Sequence, residues 1–126
     1  QAKVVARWLR QHQPRHLRIL ASPAVRTRQT VEALDLPYET DRRIGPEAGA
    51  ADLIAATGWP STRGAVLVVG HQPGLGQLAS LLLAGPESEW TIKKGALWWL
   101  TRRIRAGESQ TVLRAVVSPD FLAGPR

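Results

Sequence analysis

The chain has 126 residues, 44% of them apolar and 21% charged, and its balance of charge is 17 − 10 = +7. This composition favours one folded domain over a disordered segment, and the excess of arginine (14 Arg against 3 Lys) favours an anionic partner. The absence of cysteine excludes disulfide bonds, thiolate metal sites and a cysteine nucleophile. No apolar run approaches the roughly 20 residues of a membrane span, so we expect a cytoplasmic protein with no membrane partner.

The first half of the chain alternates between helical and strand patterns. Apolar spacing predicts a helix over 1–11, with Val4, Val5, Trp8 and Leu9 on one face. The helix has no N-cap before it and the chain has no methionine, so we expect the domain to begin upstream of Gln1. The other predicted elements are a buried strand over 17–21, a helix capped by Ser22 with Pro23 as its first residue, a short strand over 37–40, and a helix over 50–57 that ends at Gly58.

The second half opens on the apolar run AVLVV at 65–69, which is typical of a strand covered on both faces. A helix follows through Ala84, and strands over 96–104 and 111–117 are expected to form a hairpin with a turn near Gly107. Residues 119–126 have the pattern of a tail. Strands alternate with helices over most of the chain, so the predicted fold class is α/β.

The segment SPAVRTRQT at 22–30 is the first candidate site. It lies where a strand ends and a helix begins, and the free N–H groups of such a junction suit a phosphate. Arg26 is one turn into the helix and can supply planar, paired donors to phosphate oxygens. The competing interpretation is an ordinary capped helix with Arg26 and Arg28 on its solvent face.

The segment GHQPG at 70–74 is the second candidate site. His71 directly follows a buried strand, and ligand sites in open α/β sheets form at the carboxyl edge of the strands. A histidine there can act as a nucleophile, an acid or base, or a positive partner for phosphate. The competing interpretation is a histidine that fills a strand-to-helix turn.

The remaining polar and aromatic clusters favour structural roles. His12 and His16 flank Pro14 in a polar segment and are expected in a solvated loop. Lys93 and Lys94 precede Trp98 and Trp99, of which at least one belongs in a core because neighbouring strand residues face opposite sides. No metal-ligand cluster and no nucleic-acid motif is present in the sequence, so we expect neither a metal nor a nucleic acid as partner.

Several stretches together resemble the histidine phosphatase superfamily, in its SixA-like phosphohistidine phosphatase branch. The matching stretches are QAKVVARWL, ILASPAVRTRQT, LVVGHQPGLGQLASLLL, KKGALWWL and LRAVVSPDFL, which run nearly end to end. The resemblance implies a three-layer α/β/α sandwich with a mostly parallel central sheet, as in phosphoglycerate mutase. It also implies an enzyme that needs no metal or other cofactor.

The resemblance assigns roles to the two candidate segments. Arg26 matches an arginine that binds the phosphoryl group, and His71 matches a histidine that completes the charged pocket. Backbone N–H groups near Ser22 are expected to help, so Ser22 is also predicted as a substrate-binding residue. In the family, a histidine in an Arg-His-Gly motif attacks phosphorus and forms a phosphohistidine intermediate. That motif is absent here, and in the family it precedes the first helix, so the nucleophile and its strand are expected upstream of Gln1.

The expected substrate is a phosphoprotein, most simply one that carries phosphohistidine. Only 71 − 26 = 45 positions separate Arg26 from His71, which leaves no room for a large lid, and an open site suits a phosphate on a protein surface. The alternatives are a small-molecule phosphomonoesterase of the same superfamily and a non-catalytic binder of an anionic partner. No motif assigns a general acid, although Glu47 lies in a predicted loop.

Overall fold

The computed structural model describes residues 2–61 and 64–122. Its helices are α1 (Ala2–Gln11), α2 (Val25–Glu32), α3 (Ala50–Thr57), α4 (Gly74–Ala84) and α5 (Pro119–Leu122), with a 3₁₀ turn over Arg42–Ile44. Its strands are β1 (Leu17–Ala21), β2 (Glu39–Thr40), β3 (Ala65–Val69), β4 (Leu97–Arg105) and β5 (Glu108–Val117). The helix predicted over 1–11 is confirmed from Ala2 onward, since Gln1 lies outside the described residues.

Three parallel strands form a sheet in the order β2–β1–β3. Successive side chains of β1 face opposite sides of this sheet. Ile19 and Ala21 pack into one core cluster with α1 and α2, while Leu20 packs into a second cluster with α3 and α4. Helices therefore cover both faces of the sheet, and the predicted three-layer α/β/α architecture is confirmed.

Strands β4 and β5 form a separate antiparallel hairpin. Ala106 and Gly107 make its two-residue turn with φ of 53° and 79°, a combination of positive angles that matches the twist of the flanking strands. Leu97 and Val117, at the open end of the hairpin, pack into the cluster of α1 and α2. The predicted hairpin is confirmed, and one of its two faces attaches it to the parallel sheet.

The start of α2 differs from the prediction. The helix begins at Val25 with Ala24 as its N-cap, and Ser22 lies two residues before that cap. The hydroxyl of Ser22 accepts a hydrogen bond from the Ala24 amide at 3.2 Å, which is a local turn before the helix rather than a helix cap. The prediction of Ser22 as the capping residue was wrong because this hydroxyl serves the turn that leads into the helix.

The run AVLVV predicted a strand covered on both faces, and this prediction is confirmed: Leu67 and Val69 pack against the cluster of α1 and α2, while Val66 and Val68 pack against the cluster of α3 and α4. Its five residues are half-buried, because β3 lies at an edge of its sheet among the described residues. One further prediction needs correction. The predicted tail contains helix α5, whose Pro119 is buried, while residues 123–126 lie outside the described residues. None of the described helices has both the length and the apolar character needed to cross a membrane.

Candidate functional site

The parallel pairing of β1 with β3 brings the two predicted segments together. Ala21 is in register with Val69, so the residues that follow each strand emerge at the same edge of the sheet. The amide of Ser22 continues the ladder by donating to the Val69 carbonyl at 3.0 Å. Ser22 and His71 are 49 residues apart in sequence, and this pairing makes them neighbours.

A hydrogen bond of 2.8 Å joins Nε2 of His71 to Oγ of Ser22. Ser22 is completely buried, whereas the His71 side chain is only half-buried. Because Oγ also accepts from the Ala24 amide, the hydroxyl is held from two sides. Ser22 therefore fixes the half-buried imidazole at the edge of the sheet.

The first turn of α2 meets the same edge. The hydroxyl of Thr27 donates to the carbonyls of Ser22 at 2.8 Å and Ala24 at 2.9 Å, which anchors the helix start to the turn. Among the described residues, the first-turn amides of Val25, Arg26 and Thr27 donate no hydrogen bond. Such amides, together with the positive end of the helix dipole, suit an anion.

Arg26 lies in this first turn and is exposed. No carboxylate of the described residues lies within 4 Å of its guanidinium group. Its positive charge is therefore not neutralised by a neighbouring side chain. The structure places Arg26 on the same turn as the open amides, four residues after Ser22.

The start of α4, directly after His71, is different because two of its first three amides are already occupied. The Leu75 amide donates to the His71 carbonyl at 3.0 Å, and the Gly76 amide donates to Oε1 of Gln72 at 2.8 Å. Nε2 of the same Gln72 side chain donates to the Trp90 carbonyl at 3.0 Å. Three open amides therefore belong to α2, against the one of Gly74 at the start of α4.

The segment after β2 adds charge at the same edge, and the sequence prediction missed it. The Asp41 amide donates to the Ala21 carbonyl at 2.9 Å, which brings the 3₁₀ turn beside the end of β1. Hydrogen bonds from Arg43, the shortest at 2.7 Å, hold the pKa of Asp41 below its usual range. Arg42 has no carboxylate partner within the part of the chain that the structure describes. The available signal was a basic pair directly after the predicted strand over 37–40.

Glu47 lies in the loop that follows this turn and is exposed. The next residue, Ala48, presents its carbonyl to Gly74, where any Cβ would collide with it. The loop therefore packs against the start of α4, three residues after His71. Glu47 therefore lies on a segment that borders the turn of His71.

The other two histidines are not among the contacts of His71. His12 is exposed and stacks on Trp8 with ring centroids 4.3 Å apart, so it is part of a surface aromatic contact. His16 is exposed in the turn before β1. Across residues 2–61 and 64–122, no group of three or more His, Cys, Asp or Glu side chains is arranged to hold a metal ion.

Comparisons with known proteins find a structural neighbour of this fold but no match at the level of sequence. A comparison of the sequence with protein-family models gives no match, and a search of curated proteins gives no significant one. A solved structure does match, that of the "Putative Phosphohistidine Phosphatase SixA" from Nakamurella multipartitia. The TM-score is 0.73 at 23% sequence identity, over 94% of this chain and 79% of that one. At this identity the likeness shows a common fold.

Proposed function

We propose that this chain belongs to a phosphatase that removes the phosphoryl group from phosphohistidine on a protein. The observation that carries the proposal is the Ser22–His71 hydrogen bond of 2.8 Å beside the open amides of α2. A buried hydroxyl and an imidazole in contact with it lie at one edge of the sheet, and an arginine without a carboxylate partner among the described residues lies in the helix turn that follows. The Nakamurella structure adds support, since a protein of the same fold carries the name of this activity.

In the proposed mechanism, Arg26 and the first-turn amides of α2 bind the phosphoryl oxygens. His71 faces the same group and stabilises the charge that builds up on those oxygens. Phosphoryl transfer needs mainly positioning and charge neutralisation, and these groups supply both. Ser22 is a positioning residue, because its buried hydroxyl touches the imidazole and is withdrawn from solvent.

The nucleophile is proposed to be a histidine in a strand outside these 126 residues. Its imidazole nitrogen forms a bond to phosphorus as the bond from phosphorus to the substrate nitrogen breaks, and that leaving nitrogen takes a proton. Water then forms a P–O bond as the bond from phosphorus to the enzyme histidine breaks, which releases inorganic phosphate and regenerates the histidine. Among the described residues, His71 is the only histidine at this edge. Because His71 is proposed to stabilise charge, covalent catalysis requires a second histidine.

The open edge of β3 supports this placement of the nucleophile. β3 is an apolar strand with a pairing partner on one side only among the described residues, and the β4–β5 hairpin forms a sheet of its own. A strand that paired with β3 in parallel would end at the edge where Ser22 and His71 lie. Its last residues would then reach the phosphoryl group from the side opposite β1.

The surroundings of the site favour a phosphate on a protein surface. The described part of the segment between Arg26 and His71 contains the rest of α2, the short β2, one 3₁₀ turn, α3 and β3, and it holds no further element that could form a lid. A hollow in the surface lies at the far end of α2, where it is lined by Glu32, Asp35 and Tyr38. Its carboxylates would repel a phosphate, so that hollow does not compete with the site at the sheet edge.

The experiment is a hydrolysis assay on the protein expressed from its complete reading frame. We expect release of phosphate from a histidine-phosphorylated protein, and a loss of about 100-fold or more in kcat/KM for Arg26→Ala and for His71→Ala, as for removal of a group that stabilises developing charge. Arg28→Ala is the matched control, because it removes an exposed arginine two residues further along the same helix.

Three results would contradict the proposal. Unchanged activity in both Arg26→Ala and His71→Ala would remove the site from the mechanism. Preference for a small phosphate ester over phosphohistidine would indicate a small-molecule phosphomonoesterase. Phosphate binding that depends on Arg26 without turnover would indicate a non-catalytic binder of an anion.

A further inference from the structure

The outer half of the β4–β5 hairpin is an ordered arm that the proposed phosphoryl site does not use. All residues from Arg102 to Gln110 are exposed, although most of them are in regular strand pairing. An isolated pair of strands is only marginally stable in water. An arm of this length that presents itself to solvent is therefore suited to contact another molecule.

One face of the arm is apolar, and we call it the outer face. Cross-strand partners share a face, so Trp98 lies beside Val116 and Leu100 lies beside Leu113. Ile104 continues the same face toward the turn. Ile104, Leu113 and Val116 are 64%, 44% and 48% exposed, whereas Leu97 and Val117 on the opposite face pack into the core. The unpartnered apolar surface of the hairpin is thus concentrated on its outer face.

The charge of the arm restricts the partner. Arg102 lies on the outer face between Leu100 and Ile104, whereas Arg103 and Arg105 lie on the opposite face, which is also exposed in this part of the arm. Among the described residues, none of these three arginines has a carboxylate within 4 Å. A second copy of a chain with a net charge of +7 would bring like charges together. An acidic partner with apolar side chains complements this surface.

The outer face is continuous with the candidate site. The Trp98 ring lies 6.3 Å from the Trp90 ring, centroid to centroid. The Trp90 carbonyl accepts a hydrogen bond from the side chain of Gln72, the residue after His71. A partner that covers the outer face therefore extends toward the turn that carries His71.

We infer that the exposed arm is the docking surface for an acidic segment of the phosphoprotein. Apolar side chains of that segment pack on the outer face, and the three arm arginines, exposed on both faces of the arm, select the segment by charge. The identity of the partner as the phosphoprotein rests on the proposed function. The arm supplies affinity and selects the substrate, while the site at the sheet edge acts on the phosphoryl group. The two contributions are separable by experiment.

Binding is tested with two labelled peptides of equal length and equal leucine content, neither of which carries a phosphoryl group. One is rich in glutamate, and in the other each glutamate is replaced by glutamine. We expect tighter binding of the glutamate peptide in fluorescence anisotropy. The variant Arg102→Gln/Arg103→Gln/Arg105→Gln should weaken that binding about tenfold, since three exposed charge pairs of modest strength are lost.

The matched control is Lys3→Gln/Arg7→Gln/Arg15→Gln, which removes three exposed cations outside the hairpin and changes the net charge equally. The inference is overturned if this variant weakens binding as much as the arm variant does, or if both peptides bind equally well. Ile104→Thr keeps a β-branched side chain in the strand and should weaken the binding of both peptides, whereas Phe121→Ser, at another exposed apolar side chain, should not.

A nucleic acid and a second copy of the chain are the other possible occupants of the arm, and each has its own measurement. Tighter, arm-dependent binding of a single-stranded oligonucleotide than of the glutamate peptide would reassign the arm to nucleic acid. A dimer in sedimentation velocity that Ile104→Thr dissociates would reassign it to a second copy of the chain. Either result overturns the inference of an acidic protein partner.

Hydrolysis then separates the arm from the proposed function. The arm variant should lower kcat/KM for a phosphohistidine peptide flanked by glutamate about tenfold and leave kcat/KM for free phosphohistidine unchanged. Equal losses with both substrates would contradict a docking role. If the wild-type protein hydrolyses neither substrate but binds the glutamate peptide through the arm, the proposed function fails and the docking surface stands.

Discussion

At the scale of single residues, the hydroxyl of Ser22 decides how His71 is presented. It is completely buried, it contacts Nε2 of His71 at 2.8 Å, and it accepts from the Ala24 amide. A hydroxyl with two partners and no access to solvent has one preferred orientation. The imidazole that it contacts is therefore held in place before any ligand arrives.

Ser22→Ala should lower both stability and activity. Removal of a buried hydrogen-bond partner costs about 1–3 kcal/mol in the free energy of unfolding, and loss of the oriented imidazole should lower kcat/KM about tenfold or more. Urea denaturation and phosphohistidine hydrolysis measure the two effects.

Ser80→Ala is the control for this substitution. Ser80 is also completely buried, and its hydroxyl joins the carbonyl and the amide of Ser88 at 2.8 Å, away from His71. It should lose similar stability and keep its kcat/KM. An equal loss of activity in both variants would contradict a specific role for Ser22.

The sequence pointed to Ser22, Arg26 and His71 through local signals, which are a strand end, a helix start and a glycine-bounded turn. It assigned Ser22 to a helix cap, because Ser-Pro before a helix is a common capping pattern. The bond between Ser22 and His71 spans 49 residues. No local pattern encodes such a contact, so the pairing of β1 with β3 had to be known first.

At the scale of elements, the start of α4 is joined to the segment before β4 by close backbone packing. Gln72 donates to the Trp90 carbonyl, and the same carbonyl lies where a Cβ of Gly76 would be. The fully buried positions of α4 are Gly74, Gly76, Ala79 and Ser80. Small residues lie there because the neighbouring backbone approaches the helix directly.

Gly76→Ala should therefore destabilise the protein by about 1–3 kcal/mol through overpacking. In an uncrowded helix, the same substitution would stabilise the protein by about 1 kcal/mol through helix propensity. The sign of the change in the free energy of unfolding therefore distinguishes overpacking from helix propensity. Thermal unfolding measures it. A raised Tm would show that the Trp90 carbonyl moves aside without cost.

The sequence predicted α4 from the spacing of Leu75, Leu78, Ala79 and Leu82, and the helix is present. The three leucines are half-buried, and the tightest contacts belong to the small residues. Apolar periodicity identifies the face that turns inward. It does not reveal how close a neighbouring carbonyl comes, since that distance depends on the packing of a distant segment.

At the scale of the whole molecule, Trp99 connects the hairpin to the parallel layer. Its ring meets Trp8 of α1 edge to face at 6.0 Å and carries the Arg114 guanidinium 4.7 Å from its centre. Trp98 faces the other way and meets Trp90. The sequence predicted that at least one of the two tryptophans belongs to a core, and Trp99 packs against one.

Trp99→Leu should loosen the hairpin relative to the parallel sheet, at a cost of about 1–3 kcal/mol from lost aromatic contact and packing. Hydrogen exchange of the β4 and β5 amides should speed up more than that of the β1 amides. Trp98→Leu is the control, because it removes a ring of the same size from the opposite face. Equal acceleration in both variants would contradict the attachment through Trp99.

The sequence by itself determined which segments are helices and strands, that the class is α/β, and that Arg26 and His71 follow strand ends. These features depend on periodicity and turn chemistry within a few residues of each position. Only the tertiary structure decided that β3 lies at an edge, that Ser22 contacts His71, and that the arginines of the hairpin project on an exposed arm. Those features depend on which strands pair and which faces remain uncovered, and packing between distant segments settles both.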